Sequence, residues 1–140
     1  MTIADTGSTR MPADVAGAVH VLVVDDEPAV RRLAGRALAE EGFVVHEAAD
    51  GAEALAVVRD GLEPIDVIVS DVIMPRLNGV DLYLAISSSH PQIAFILMSG
   101  YAMSELENMG VAAPCGILSK PFAVTRLVEE VRRCLNGSSV

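Results

Sequence analysis

The chain has 140 residues, 51% of them apolar and only 4% aromatic, and its 10 basic against 19 acidic side chains leave a net charge of −9. That length fits one domain with a core of Val, Ile, Leu and Ala. The charge opposes non-specific binding to nucleic acid or an anionic membrane, and no apolar run approaches the ~18 residues of a membrane span.

Residues 1–17 are rich in Thr, Ser, Gly, Asp and Pro, without an apolar signal core, and read as a flexible extension rather than a secretory leader. The domain itself occupies 18–136, and 137–140 form a short tail. Val19 to Val24 reads as a strand ending at Asp25-Asp26-Glu27-Pro28. Pro28 suits the first turn of a helix, where its missing N–H costs nothing. Val30, Leu33, Ala34, Ala37 and Leu38 then follow at helical spacing up to Gly42. Phe43 to His46 is a short second strand. Asp50-Gly51-Ala52-Glu53 has the form of a capping box with Asp in place of Ser or Thr, opening a helix that stops near Gly61.

Ile65 to Ser70 is the third strand. It delivers Asp71, and the Pro75 to Gly79 cluster ends it abruptly. Asn78 caps a helix through Val80, Leu82, Tyr83 and Ile86. Ile93 to Met98 is a fourth strand, closing on Ser99-Gly100. Between Ala102 and Pro114 a short helix is expected around Ser104 to Met109, in a segment whose glycines and proline suggest mobility. Gly116 to Ser119 is a fifth strand, ending at Lys120-Pro121, and Ala123 to Leu135 is the last helix. Strands alternating with helices predict a doubly wound α/β domain, a five-stranded parallel sheet covered on both faces. Cys115 and Cys134 have no metal-ligand spacing and read as free buried thiols of a cytoplasmic protein. His20, His46 and His90 are scattered and read as structural or surface residues.

In a parallel sheet the carboxyl ends of all strands share one edge, where such folds bind ligands. Asp25 and Asp26, Asp71, Ser99 and Lys120 each follow a strand, so they converge although 45, 28 and 21 residues separate Asp26, Asp71, Ser99 and Lys120. Crowded carboxylates repel unless a cation is present, and an oxygen-rich cluster suits Mg2+. With that charge neutralised, Asp71 is placed to attack a phosphoryl group whose oxygens Ser99 and Lys120 would hold. Each residue alone has a plainer role: a helix cap for Asp25 or Asp26, a turn for Asp71 and Ser99, a solvated strand end for Lys120. The constellation carries the argument.

Four segments in order, Val-Val-Asp-Asp-Glu-Pro (23–28), Ser-Asp-Val-Ile-Met-Pro-Arg-Leu-Asn-Gly (70–79), Met-Ser-Gly-Tyr-Ala (98–102) and Ser-Lys-Pro-Phe (119–122), give the chain a close similarity over residues 18 to 135 to another group of proteins. It resembles the receiver domain of bacterial two-component response regulators. The resemblance implies the strand order 2-1-3-4-5 and a signalling module rather than an enzyme. It implies that Asp71 accepts a phosphoryl group from the phosphohistidine of a sensor histidine kinase or phosphotransfer protein. Asp26, Asp71 and the backbone carbonyl of Ile73 would bind Mg2+ directly, with Asp25 acting mainly through water. Ser99 and Lys120 would contact the acyl phosphate, the Lys120–Pro121 peptide would be cis, and the output would be binding to a downstream protein partner; that no nucleic acid or membrane is involved is the expectation from the acidic charge.

Two positions depart from the family. Receivers commonly carry Tyr or Phe three residues before the lysine, and that ring swings inward when the hydroxyl turns to the phosphate; here the position holds Ile117. Tyr101 is placed to take over part of the task, or Ile117 simply packs. Ile73 and Tyr101 also flank the phosphorylation site, and both are bulky. Two other functions compete: a receiver-like binding module that is never phosphorylated, and a phosphatase of the haloacid-dehalogenase type. The phosphatase would need its nucleophile in an Asp-x-Asp pattern after the first strand.

Overall fold

Short runs of Val, Ile and Leu, buried on both sides, build the sheet. In the computed structural model, which describes residues 17–111 and 114–136, these runs are β1 (His20–Val24), β2 (Val44–Ala48), β3 (Val67–Asp71), β4 (Ala94–Ser99) and β5 (Gly116–Ser119). All pairings are parallel, in the order β2-β1-β3-β4-β5. The helices are α1 (Pro28–Glu40), α2 (Gly51–Asp60), α3 (Gly79–Ser89), α4 (Met103–Asn108) and α5 (Val124–Leu135). The expected extension over 1–16 and the tail over 137–140 lie outside the described residues. Among the described residues, no helix is long and apolar enough to cross a membrane.

Side-chain alternation sends each strand's apolar residues to two separate layers. Leu22, Val24, Ile68 and Leu97 pack with Ala54 and Val58 of α2, Leu82 and Ile86 of α3, and Leu106 of α4. Val21, Val23, Val67, Val69, Ile96 and Met98 pack with Ala34 and Leu38 of α1 and Leu127 and Val131 of α5. Each such Val, Leu, Ile or Met side chain, once fully buried, contributes on the order of 1.5–3 kcal/mol.

Local signals set most helix boundaries. Asp50 accepts the N–H of Glu53 at 2.8 Å and Asn78 accepts that of Asp81 at 2.9 Å, so both caps form. The reciprocal arm of the expected box reaches one residue further back, since Glu53 Oε1 takes the N–H of Ala49. Gly61 adopts φ +65 after α2. The second strand starts and ends later than its pattern suggests. Phe43 donates its N–H to Leu38 O and finishes the turn after α1, whereas Ala48 is drawn into the sheet opposite Val24.

Two expectations are overturned by long-range contacts. Cys115 and Cys134 are not free thiols: they form a disulfide with Cα atoms 6.0 Å apart, because α5 runs back beside β5 and brings its last turn over the strand's start. Nor are two of the three histidines scattered, although His90 stays apart at the end of α3. His20 opens β1 and His46 lies on β2, where His46 pairs with Leu22, two residues along from His20 on the same face. Their ring nitrogens, His20 Nδ1 and His46 Nε2, stand 2.9 Å apart. Burial, and then the neighbouring His20, hold the His46 imidazole below its ordinary pKa.

Candidate functional site

Asp25 leaves β1 fully buried, and its two oxygens serve different partners. Oδ1 accepts the N–H of Glu27 at 2.9 Å and holds the turn ahead of Pro28. Oδ2 lies 3.2 Å from Lys120 Nζ. The helix cap expected of Asp25 or Asp26 does not form, since Glu27 is the N-cap residue and has no side-chain cap bond; Asp25 instead braces the turn and faces Lys120. Asp71 closes β3 with its side chain 13% exposed, and its Oδ1 is 3.3 Å from the same ammonium. Lys120, arriving from the end of β5, therefore spans two strand ends at once. Asp26 is exposed, and one carboxylate oxygen from each of Asp25, Asp26 and Asp71 falls within 4.8 Å of the others.

Burial pushes the Asp71 carboxyl above its usual range, the charge of Asp25 adds to the shift, and Lys120 offsets part of it. Burial also works against the Lys120 charge, but Asp25 and Asp71 outweigh it and hold that pKa above its ordinary value. Three carboxylates gathered where one resists ionising form a donor set of the kind a hard divalent cation takes, and Mg2+ fits it.

Ser99 ends β4, buried, with its backbone carbonyl accepting the Lys120 N–H at 2.9 Å. Its hydroxyl accepts the N–H of Tyr101 at 2.7 Å and points back toward the Tyr101 carbonyl at 3.4 Å. Tyr101 and Ile117 both pack, half-buried, against the apolar layer under α2, α3 and α4. Ile73 stands 63% exposed and shares a groove with Val72, Asn78, Tyr101 and Met109. The Lys120–Pro121 peptide is cis.

The loop from Val72 to Asn78 is clamped at both ends by glycines whose importance the sequence leaves unmarked. The N–H of Gly79 donates to Val72 O at 2.8 Å, and a Cβ on Gly79 would stand 2.1 Å from the carbonyl oxygen of Asp71. The N–H of Gly51 donates to Leu77 O at 2.9 Å, where a Cβ would meet that oxygen at 2.2 Å. Between them Arg76 takes a left-handed φ of +65, and its guanidinium pairs with Asp50. The Glu53 N–H, and after it Arg76, outweigh burial and hold the Asp50 carboxyl below its usual range. Asn78-Gly79 after a proline is a turn signal, but the contact between the glycine and Asp71 is visible only in the fold.

A profile of the response regulator receiver domain matches residues 21–132. The chain belongs to that family. Among curated proteins this receiver is 42% identical over 123 residues to the sensor kinase CckA of Brucella abortus, covering 87% of this chain and 13% of that protein. It is 32% identical over 123 residues to the probable transcriptional regulatory protein TcrX of Mycobacterium tuberculosis, covering 87% of the chain and 52% of the relative. The chain thus spans about half the length of one and a small part of the other. Among solved structures, the Vibrio cholerae chemotaxis protein CheY4 superposes with a TM-score of 0.75 at 32% identity, covering 84% of this chain and 98% of that one. The sheet order and the five helices are those of a doubly wound receiver fold.

Proposed function

We propose that this receiver takes a phosphoryl group on Asp71 from the phosphohistidine of a sensor kinase or phosphotransfer protein, and thereby changes its binding to a downstream protein. The observation that carries the reading is Lys120 within salt-bridge distance of both Asp25 and Asp71, beside a third carboxylate from Asp26. In the transfer, an Asp71 oxygen forms a bond to phosphorus as the bond from phosphorus to the donor imidazole nitrogen breaks, and the imidazole keeps the electron pair and takes up a proton. Asp26, Asp71 and the Ile73 carbonyl would hold Mg2+, with Asp25 acting through water, and the ion would supply charge neutralisation on the phosphoryl oxygens. Lys120, 3.3 Å from Asp71 Oδ1, would meet the new charge there, while Ser99 would turn away from Tyr101 to do so. That turn frees the Tyr101 N–H, and Tyr101 and Ile117 lie in one apolar cluster, so the change has a packed route to α4 and β5 without an aromatic at position 117. The net charge of −9 favours a protein partner over nucleic acid.

Intact mass after incubation with Mg2+ and acetyl phosphate tests the reading. One added phosphoryl group that requires Mg2+ and is absent in Asp71→Asn is the expected result. No gain, even with a phosphorylated histidine donor, would leave a binding module that keeps the site without using it. Steady release of phosphate from small phosphoesters would point instead to a phosphatase.

A further inference from the structure

The end of β1 opposite Asp25 carries a second group of potential ligands. His20 is 4% exposed, in line with the core residues Leu22 and Val24 on the same face of the strand. A buried imidazole at such a position is costly without polar partners. Its ring and that of His46 are nearly parallel, 13° apart with centroids 5.2 Å from each other, and 2.9 Å separates the facing nitrogens. The rings therefore lie edge to edge, each presenting a nitrogen to the other. Glu63, in the connection from α2 to β3, brings Oε1 to 3.6 Å from the same His20 nitrogen. One ligand atom from each of the three residues lies within 4.8 Å of the others. Asp66 fixes His20 from both sides, its N–H donating to His20 O at 2.9 Å and its Oδ2 accepting the His20 N–H at 2.9 Å.

We propose that His20, His46 and Glu63 form a second cation site, selective for a borderline divalent transition metal of the Zn2+ type, at the amino edge of the sheet. Two imidazoles and one carboxylate are the donors such metals take, and the set is poor for Mg2+, which takes oxygen. Zn–N bonds of about 2.0–2.1 Å in a tetrahedral shell put two nitrogens roughly 3.3 Å apart, so the histidine pair opens by about 0.4 Å and each ring tilts by roughly 35° to turn its lone pair from the other ring toward the shared ion. Binding moves the proton now shared between the rings to the far nitrogen of the ring that holds it, which leaves both facing nitrogens free to coordinate. Glu63 supplies the third ligand, and because its side chain is 47% exposed the fourth position opens to water. The protein then separates its metals by chemistry, an oxygen site where β1 ends and a nitrogen-rich one where it begins.

The test uses the tag-free chain in excess Mg2+, which competes for oxygen donors, titrated with Co2+ as an optical probe and then with Zn2+. One equivalent of Co2+ should give the visible absorption of a four-coordinate, nitrogen-liganded ion, and Zn2+ should displace it. Histidine side-chain NMR should show the ring nitrogens of His20 and His46 shifting together with Zn2+. Glu63→Gln and His46→Gln should each weaken Co2+ binding by at least about tenfold, since even outer partners of metal sites act on that scale. Glu63 lies outside the core, so its variant tests the site without threatening the fold. Asp26→Asn should leave the absorption unchanged. Binding that survives both ligand variants, binding lost in Asp26→Asn, or histidine nitrogens unmoved by Zn2+ would each overturn the proposal and leave a hydrogen-bonded pair.

Discussion

Gly79 sits so close to Asp71 that no side chain fits between them: a Cβ would approach the Asp71 carbonyl oxygen to 2.1 Å. The opposing atom is backbone, so nothing can swing aside, and the strain must pass into the end of β3 or the start of α3. Gly79→Ala should therefore destabilise the domain by about 1–3 kcal/mol, the usual cost of overpacking. It should also slow phosphorylation of Asp71 more than the same substitution at Gly100, where a Cβ meets nothing within 4 Å. Urea unfolding and phosphorylation rates of the two variants make the comparison, and equal behaviour would count against the clamp.

The Asp71 carboxyl gives a pH dependence with a definite sign. Its folded-state pKa is raised above the ordinary value of 3.8. Below that value both folded and unfolded chains hold the proton and the group costs nothing. As pH rises through it the unfolded chain ionises first, so stability is lost until the folded carboxyl ionises as well, and the cost then stays constant. Asp71→Asn should therefore be more stable than the unsubstituted chain at neutral pH without Mg2+, with the advantage fading toward acid pH. Added Mg2+ should narrow the gap by stabilising only the chain that binds it well. Thermal melts over a pH series, with and without Mg2+, decide this.

Ile73 and Tyr101 line one groove with Val72, the residue after Asp71; both are bulky, and Ile73 has no polar group to orient a hydrolytic water. The acyl phosphate should accordingly be long-lived. Ile73→Asn, which supplies a polar amide, and Tyr101→Ala, which opens the groove, should each shorten its lifetime several-fold. The decay of phosphorylated protein followed by mass spectrometry reads the effect, and unchanged lifetimes in both variants would remove the shielding idea.

The cross-link from Cys115 to Cys134 encloses 19 residues of separation, which removes chain entropy from the unfolded state worth about 3 kcal/mol. Cys134→Ser, or the parent chain with a thiol reductant, should lose stability on that scale. A urea midpoint that does not respond to reductant would mean that the bond contributes nothing in solution.

How far the molecule could be read in advance depended on the range of the contacts involved. Asp50, Asn78 and Gly61 act through hydrogen bonds or backbone angles within a few residues, and their patterns are legible in the sequence. The placement of Asp25, Asp71, Ser99 and Lys120 was legible for a different reason: the direction of a parallel sheet carries four strand ends to one edge whatever the details of packing. By contrast, the disulfide depends on where α5 lies against β5, and the His20–His46 pair depends on the register between β1 and β2. Alternation alone would put His20 on the Leu22 face and His46 on the Ala48 face, but only strand adjacency makes these one face. The ion pair between Arg76 and Asp50 likewise waits on a left-handed turn at a residue that is not glycine.

The sheet also works as a partition wall. Tyr101 and Ile117 belong to the layer under α2, α3 and α4, whereas Leu38, Leu127 and Val131 lie on the other side with α1 and α5. Side chains with no shared neighbours add their effects rather than amplify them. Damage to the α1–α5 compartment, such as a cavity cut at Leu127, thus lowers the reserve of the whole domain without retuning the residues around Asp71. One compartment acts as ballast, while the other holds the residues that border the carboxylate cluster.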